Sequence, residues 1–438
     1  MDAHFSWQWV QAHVGQSMEG WRASAGESLA AAAHYDPNEQ KQREAAYDRE
    51  MRAVECELRD APRSGRQRAE VQDRIIASFA RFSATALSLE PEAVRLLTQD
   101  FLPSGRQLAQ WATRFDPSLS KPDMIQACRN AWTACGLQHL LGAQAEITSS
   151  ILGYSLLYPY SDNYLDRPDL SNEKKLRFSE RFEMRLRGEK LSAENPREFA
   201  IWTMVRLIEQ QYPRLSFPDV FDCMLAIHHA QVLSLAQLKS RFPRSDDEIL
   251  RISCAKGGTS VLADACLIRG SINQQETRLA FEWGVLLQLG DDLQDVRDDL
   301  QRGCVTLFTR KAANGTPLDS LVIQLLNYTS QVADRIDASS HGSDALKKLL
   351  RMSWNSLIHM AVADAYDFFS PAFVSELERR SPFRFEFLRA RNKKLARRRG
   401  LYSKLFDVLL EQREREEFRV ALPDYRLKTL RKAELALS

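Results

Sequence analysis

The chain is expected to be all-α, a single large antiparallel helical bundle with helical extensions at both ends. Three observations predict this. Only 18 Gly and 16 Pro occur in 438 residues, and few of them punctuate short strand-like runs. No convincing hairpin signal is present. Long stretches repeat apolar residues at the helical period and are rich in Ala, Leu, Arg, Gln and Glu, which favour helix.

Residues 1–65 are charged and Ala-rich and close on the polar break Asp60-Ala61-Pro62-Arg63-Ser64-Gly65-Arg66, so they read as an N-terminal helical extension. The bundle is assigned to 66–380. Within it the helical period covers 69–87, 124–157, 199–211, 220–242, 247–269, 274–300, 320–336 and 344–369. Leu102-Pro103-Ser104-Gly105, Asp116-Pro117-Ser118 and Phe242-Pro243-Arg244-Ser245-Asp246 read as interhelical turns, the last also supplying an N-cap. Residues 302–317 read as a loop able to close over a bound group. Beyond Pro371 the charge density rises, 413–419 alternate Arg and Glu, and 381–438 read as a basic, helical C-terminal extension.

A net charge of +2 gives no bulk attraction to nucleic acid, which is not expected as a partner. Locally, 389–399 carries Arg389, Arg391, Lys393, Lys394, Arg397, Arg398 and Arg399. This run has three readings: a solvated helix face, diphosphate capture, or a peripheral contact with an anionic membrane surface. Aromatic residues do not interleave it as single-strand binding would need. The seven cysteines, Cys56, Cys128, Cys135, Cys223, Cys254, Cys266 and Cys304, form no CxxC pair and read as buried thiols of a reducing compartment. The first residues lack the basic and apolar regions of a secretory signal, and no apolar stretch reaches bilayer length, so a cytoplasmic location is expected.

The chemistry is concentrated in acids. Residues 287–299 follow an apolar run with Asp291, Asp292, Asp295, Asp298 and Asp299. On a helix Asp291, Asp295 and Asp299 succeed one another at i,i+4, and each like-charged pair costs about 0.2–0.5 kcal/mol. Only Arg297 lies inside the run to offset this. The run is either a solvated acidic face or a cation site, and Mg²⁺ suits it, being held by one or two carboxylates with waters and phosphate oxygens. Upstream, Asp162-Asn163-Tyr164-Leu165-Asp166-Arg167-Pro168-Asp169 again sets two acids, Asp162 and Asp166, at i,i+4. They sit near a helix carboxyl end, where the dipole is already negative, before Pro168 ends or kinks the helix. Two such clusters facing one another across a bundle would accommodate a metal-bridged polyphosphate.

Read together, the clusters resemble the aspartate-rich motifs of the class I isoprenoid synthase superfamily, which holds trans-prenyl diphosphate synthases and class I terpene synthases. Asp162-Asn163-Tyr164-Leu165-Asp166 is similar to the first DDxxD motif, with Asn in its second position. Gln288-Leu289-Gly290-Asp291-Asp292-Leu293-Gln294-Asp295 is similar to the second. Lys256-Gly257-Gly258-Thr259 resembles the family's Lys-Thr segment, whose lysine contacts diphosphate, and Gly303 and Thr306 echo the sequence after the second motif. The resemblance covers roughly residues 66–369. It implies the bundle of the isoprenoid synthase type and three Mg²⁺ ions held by Asp162, Asp166, Asp291 and Asp295. Asp292 would ligate a metal or a metal-bound water, and Asp169, Asp298 and Asp299 would stand behind the ligands.

Departures from the elongating enzymes set the expected subfamily. Their Arg-Arg-Gly segment is absent after Asp166, and Ser104-Gly105-Arg106-Gln107 is the nearest counterpart of their upstream Gly-Lys-x-x-Arg element. The chain is therefore expected to be a terpene synthase that ionises a linear prenyl diphosphate and cyclises or quenches the cation. Its Tyr-Leu-Asp core is similar to class IB members. Substrate contacts are expected from Lys256, Arg297, Arg310 and Tyr158, the last one turn before Asp162. Tyr164, Trp202, Phe281 and Trp283 are further aromatic candidates for cation–π stabilisation, with core packing as the alternative. His228 and His229, before Gln231, read either as substrate contacts or as satisfied histidines. Chain elongation, and a non-catalytic helical subunit or divalent-ion binder, are the other readings. A homodimer is compatible with all of them.

Overall fold

The computed structural model describes residues 6–26, 28–29, 34–62, 65–165, 167, 170–235, 245–410 and 420–422. Its regular elements are helices, with no strand among the described residues. In chain order they are α1 (Trp7–Ala23), α2 (Pro37–Arg59), α3 (Arg66–Thr85), α4 (Pro91–Leu96), α5 (Leu102–Phe115), α6 (Lys121–Leu140) and α7 (Ser149–Leu165). Then come α8 (Asn172–Leu186), α9 (Pro196–Gln211), α10 (Pro218–Ser234), α11 (Asp246–Arg269), α12 (Gln274–Gln294) and α13 (Val296–Arg302). The chain closes with α14 (Leu307–Ala313), α15 (Asp319–Asp337), α16 (Asp344–Asp364), α17 (Pro371–Glu378), α18 (Phe385–Arg397) and α19 (Arg399–Leu410). No described helix is long and apolar enough to cross a membrane.

The centre is the pair α11 and α12. Both begin on capping boxes, Ser245 with Glu248 and Asn273 with Glu276, so their first N–H groups are satisfied by their own sequence. The two backbones nearly touch because Gly257 and Gly258 meet Gly284. A Cβ on Gly284 would overlap the Gly257 carbonyl, and one on Gly258 would overlap the Phe281 ring. The glycines after Lys256 thus fix how α11 crosses α12. Helices α6, α7, α10, α15 and α16 pack around the pair, with α9 on α7 and α8 against α9 and α10.

The terminal helices are built into this body. From α1, Val10, Val14, Met18 and Trp21 enter the main core against α11, α12 and α15. Helices α2 and α3 pair, and α19 lies on both, burying Val54, Leu58, Val71, Ile75 and Val408 in a separate small core. Much of the basic run is committed to α2. Arg391 pairs with Asp48, and Lys394 and Arg398 both with Glu55, while Arg384, just before the run, pairs with Glu44. Lys393, Arg397 and Arg399 stay exposed.

Four expectations are corrected. The stretch 124–157 is two helices, because Gly142 at φ 70° ends α6, and Gln138 caps the link through the Glu146 main chain at 2.9 and 3.1 Å. The turn expected at 102–105 is the start of α5, continuous with α4 through a π-turn, Leu97–Phe101, in which the Leu102 N–H bonds the Leu97 carbonyl. Pro103, which has no N–H to offer, sits in the first turn of α5, where that loss is tolerated. The loop expected at 302–317 contains α14, started by a capping box of Thr306 and Thr309. Of the cysteines, Cys56 is exposed and Cys304 half-buried, while the other five are buried.

Candidate functional site: an acid-lined cavity

A cavity of about 850 Å³ opens between α6, α7, α10, α11 and α12 and continues outward past α5 and α16 to α2, α3 and α19. Into it α7 brings Tyr158 and Asp162, α11 brings Lys256, α12 brings Gln288 and Asp291, and α6 brings Arg129 and Asn130. Residues 129 positions apart in sequence, Asp162 and Asp291, therefore line one space. The Ser161 hydroxyl donates to Asp162 Oδ1 at 3.0 Å, and Arg129 Nη2 donates to Asp291 Oδ1 at 3.1 Å. Asp166 and Asp169 lie outside the described residues.

The helical register survives the join after α12, since the Asp295 N–H bonds the Asp291 carbonyl at 2.9 Å and the Asp299 N–H bonds the Asp295 carbonyl at 2.8 Å. The three acids thus remain one turn apart and crowd one another. Burial and then the charges of Asp291 and Asp298 raise the Asp295 carboxyl, and burial with the charge of Asp295 pushes Asp299 up to about 6. A cation would relieve this crowding.

Asp292 behaves differently from its neighbours. It is buried, and its two oxygens accept from Ser253 Oγ and Gln288 Nε2, both at 2.8 Å. Burial pushes its carboxyl up to about 6 against those hydrogen bonds and the Lys256 charge. It does not line the cavity but holds Gln288, which does. Arg297 pairs with Asp367 and lies over the Phe368 ring, and Arg310 pairs with Asp246 at 3.1 Å. Neither lines the cavity.

On α10 the histidines turn away. The buried His228 ring sits 3.1 Å from the Ser179 carbonyl and burial pushes it down to about 4, while His229 pairs with Glu183. Gln231 lines the cavity instead, 4% exposed, with both side-chain polar atoms buried and without a hydrogen-bond partner. A buried unpartnered amide costs about 1–3 kcal/mol, so a polar ligand group or a water is its natural complement. Asn130 donates to Ser155 and to Asp264 Oδ1, both at 3.0 Å. Asp264 is fully buried, its Oδ2 has no partner, and burial raises it well above the carboxylate range. It holds Asn130 in the cavity wall.

Sequence reasoning missed Arg129, Gln231, Asp264 and Ser253. They lie among the mixed polar and apolar residues of α6, α10 and α11, and none belongs to a spaced pattern. Among the described residues no three His, Cys, Asp or Glu side chains converge to hold a metal. The acids come instead from separate walls, a donor set that fits Mg²⁺ shared with phosphate oxygens and water. No protein-family model matches the chain, and no curated relative matches it.

Proposed function

We propose that this protein is a Mg²⁺-dependent class I terpene synthase, ionising a linear prenyl diphosphate and cyclising or quenching the allylic cation. One observation carries the reading: Asp162 and Asp291, from the two aspartate-rich segments, line the same cavity as Lys256 in an all-helical fold. Asp162, Asp166, Asp291 and Asp295 would hold the metal, which supplies Lewis-acid neutralisation of the leaving diphosphate. Lys256 adds a point charge to the diphosphate. Arg129, which pairs with Asp291, is placed to turn to a phosphate oxygen. Tyr158 and Trp283 line the same cavity, and an aromatic face turned to a cation there would be worth about 0.5–2 kcal/mol.

A second reading, chain elongation, is favoured by one observation: Arg106, of the upstream Ser104-Gly105-Arg106 element, lines the same cavity with Arg129. Two cations in one cavity are partners for a second diphosphate. Incubation with geranyl, farnesyl and geranylgeranyl diphosphates and Mg²⁺, with and without isopentenyl diphosphate, separates the readings. Terpene synthesis yields hydrocarbon or terpene alcohol plus inorganic diphosphate from one substrate alone. A longer prenyl diphosphate formed only with isopentenyl diphosphate would establish elongation instead.

A further inference from the structure

The cavity does not stop at the bundle wall. Its outer part is walled by helices outside the central bundle, with Met51 from α2, Phe79 and Phe82 from α3, and Leu405, Phe406 and Leu409 from α19. This wall is held in place. Gln72 Nε2 donates to the Val408 and Leu409 carbonyls at 3.0 Å, Lys121 pairs with Asp407 at 2.8 Å, and Glu55 of α2 binds Lys394 and Arg398 next to α19. The compartment is mostly apolar, its one carboxylate, Glu50, being paired with Arg49 and Arg81, and it includes Phe79, which is 38% exposed. Polar anchoring groups lie at the other part of the same cavity.

We propose that the compartment between α2, α3 and α19 binds the distal end of a prenyl chain of twenty carbons or more. The inference rests on the reading of the acid-lined part as a prenyl diphosphate site. Size and chemistry select the occupant. A cavity of about 850 Å³ lies toward the upper end of the range for ligand sites, about 300–1,000 Å³. It has room for a long chain that runs from the acid-lined part into the outer part, whereas a shorter chain leaves the outer part unfilled. An apolar chain in an apolar compartment is stabilised in proportion to the area it removes from water, so the unfilled part is a loss of affinity for short chains.

The test uses the full chain with Mg²⁺ and farnesyl or geranylgeranyl diphosphate carrying a diazirine at the chain terminus, followed by photolysis and peptide mapping. The geranylgeranyl probe is expected to label peptides within 47–54, 75–82 or 405–409, in competition with unlabelled geranylgeranyl diphosphate. The farnesyl probe is expected to label α7, α10 or α11 near Tyr158, Ile227 or Val261. Met51→Trp, which fills the compartment, is expected to weaken geranylgeranyl competition at least tenfold more than farnesyl competition. Labelling of α7, α10 and α11 by both probes, no saturable labelling, or equal weakening of both chains by Met51→Trp would overturn the proposal. Labelling needs no turnover. Labelled outer peptides without catalysis would remove the proposed reaction and leave the chain site, and catalysis without outer labelling would do the reverse.

Discussion

Asp292→Asn should stabilise the protein at neutral pH and lose that advantage in acid. The Asp292 carboxyl is buried and its pKa is raised from an ordinary 3.8 to about 6. An acid whose pKa is higher in the folded state stabilises the fold most below its unfolded pKa. That contribution is lost as pH rises from about 4 through 6, because the unfolded chain ionises first. The full difference is worth about 3 kcal/mol at pH 8, by the equivalence of one pKa unit with about 1.4 kcal/mol. Asparagine never carries the charge. It keeps one oxygen for Ser253 or Gln288 and turns an N–H₂ to the other, a rearrangement costing about 1 kcal/mol. The variant should therefore be more stable than the parent by about 2 kcal/mol at pH 8, with no gain or a loss of about 1 kcal/mol at pH 4. Urea unfolding in metal-free buffer, followed by far-UV circular dichroism at both pH values, measures this. A stability difference that is the same at pH 4 and pH 8 would refute the reasoning.

Three further outcomes are expected. Gly284→Ala should destabilise the fold by about 1–3 kcal/mol or more, since its Cβ has only the Gly257 carbonyl to displace, and an unchanged melting temperature would show that α11 and α12 do not cross as described. Glu55→Gln should cost about 1–3 kcal/mol by weakening the bonds from Lys394, Arg398 and Tyr402, and a denaturation midpoint equal to the parent's would deny the α2–α18 pairing a role in stability. Gln231→Leu removes a buried amide without partners, so it should leave stability unchanged or raise it while lowering kcat, and a stability loss with normal kcat would mean that the amide serves the fold.

The helical architecture was legible because its signals are local. Periodicity and the N-cap expected in the 242–246 turn, which is Ser245, need only a few neighbouring residues. The breaks were harder to read. Gly142 lies inside a continuous apolar pattern, and Pro103 reads as a turn because the π-turn before it leaves no mark in composition. The acids stood out through their spacing, Lys256 through the resemblance, and Tyr158 through its place one turn before Asp162. Arg129, which binds Asp291 from another helix, had no pattern to betray it. The same holds for the basic run: its partners Asp48 and Glu55 lie more than 330 positions earlier, so the pairing exists only in the fold. Lys256-Gly257-Gly258 carried two messages of which sequence showed one. The lysine was marked by resemblance, while the glycines owe their place to the approach of Gly284.

The central claim is that acids from two distant segments act together on a prenyl diphosphate, and inorganic diphosphate release tests it most directly. Purified protein with geranylgeranyl diphosphate should release diphosphate with Mg²⁺ and not with EDTA. Asp162→Ala and Asp291→Ala should each abolish the release while unfolding at the same or slightly higher denaturant concentration in metal-free buffer. Near-parental Mg²⁺-dependent release by either variant, or no release by the parent from any of the three allylic diphosphates, would contradict the account.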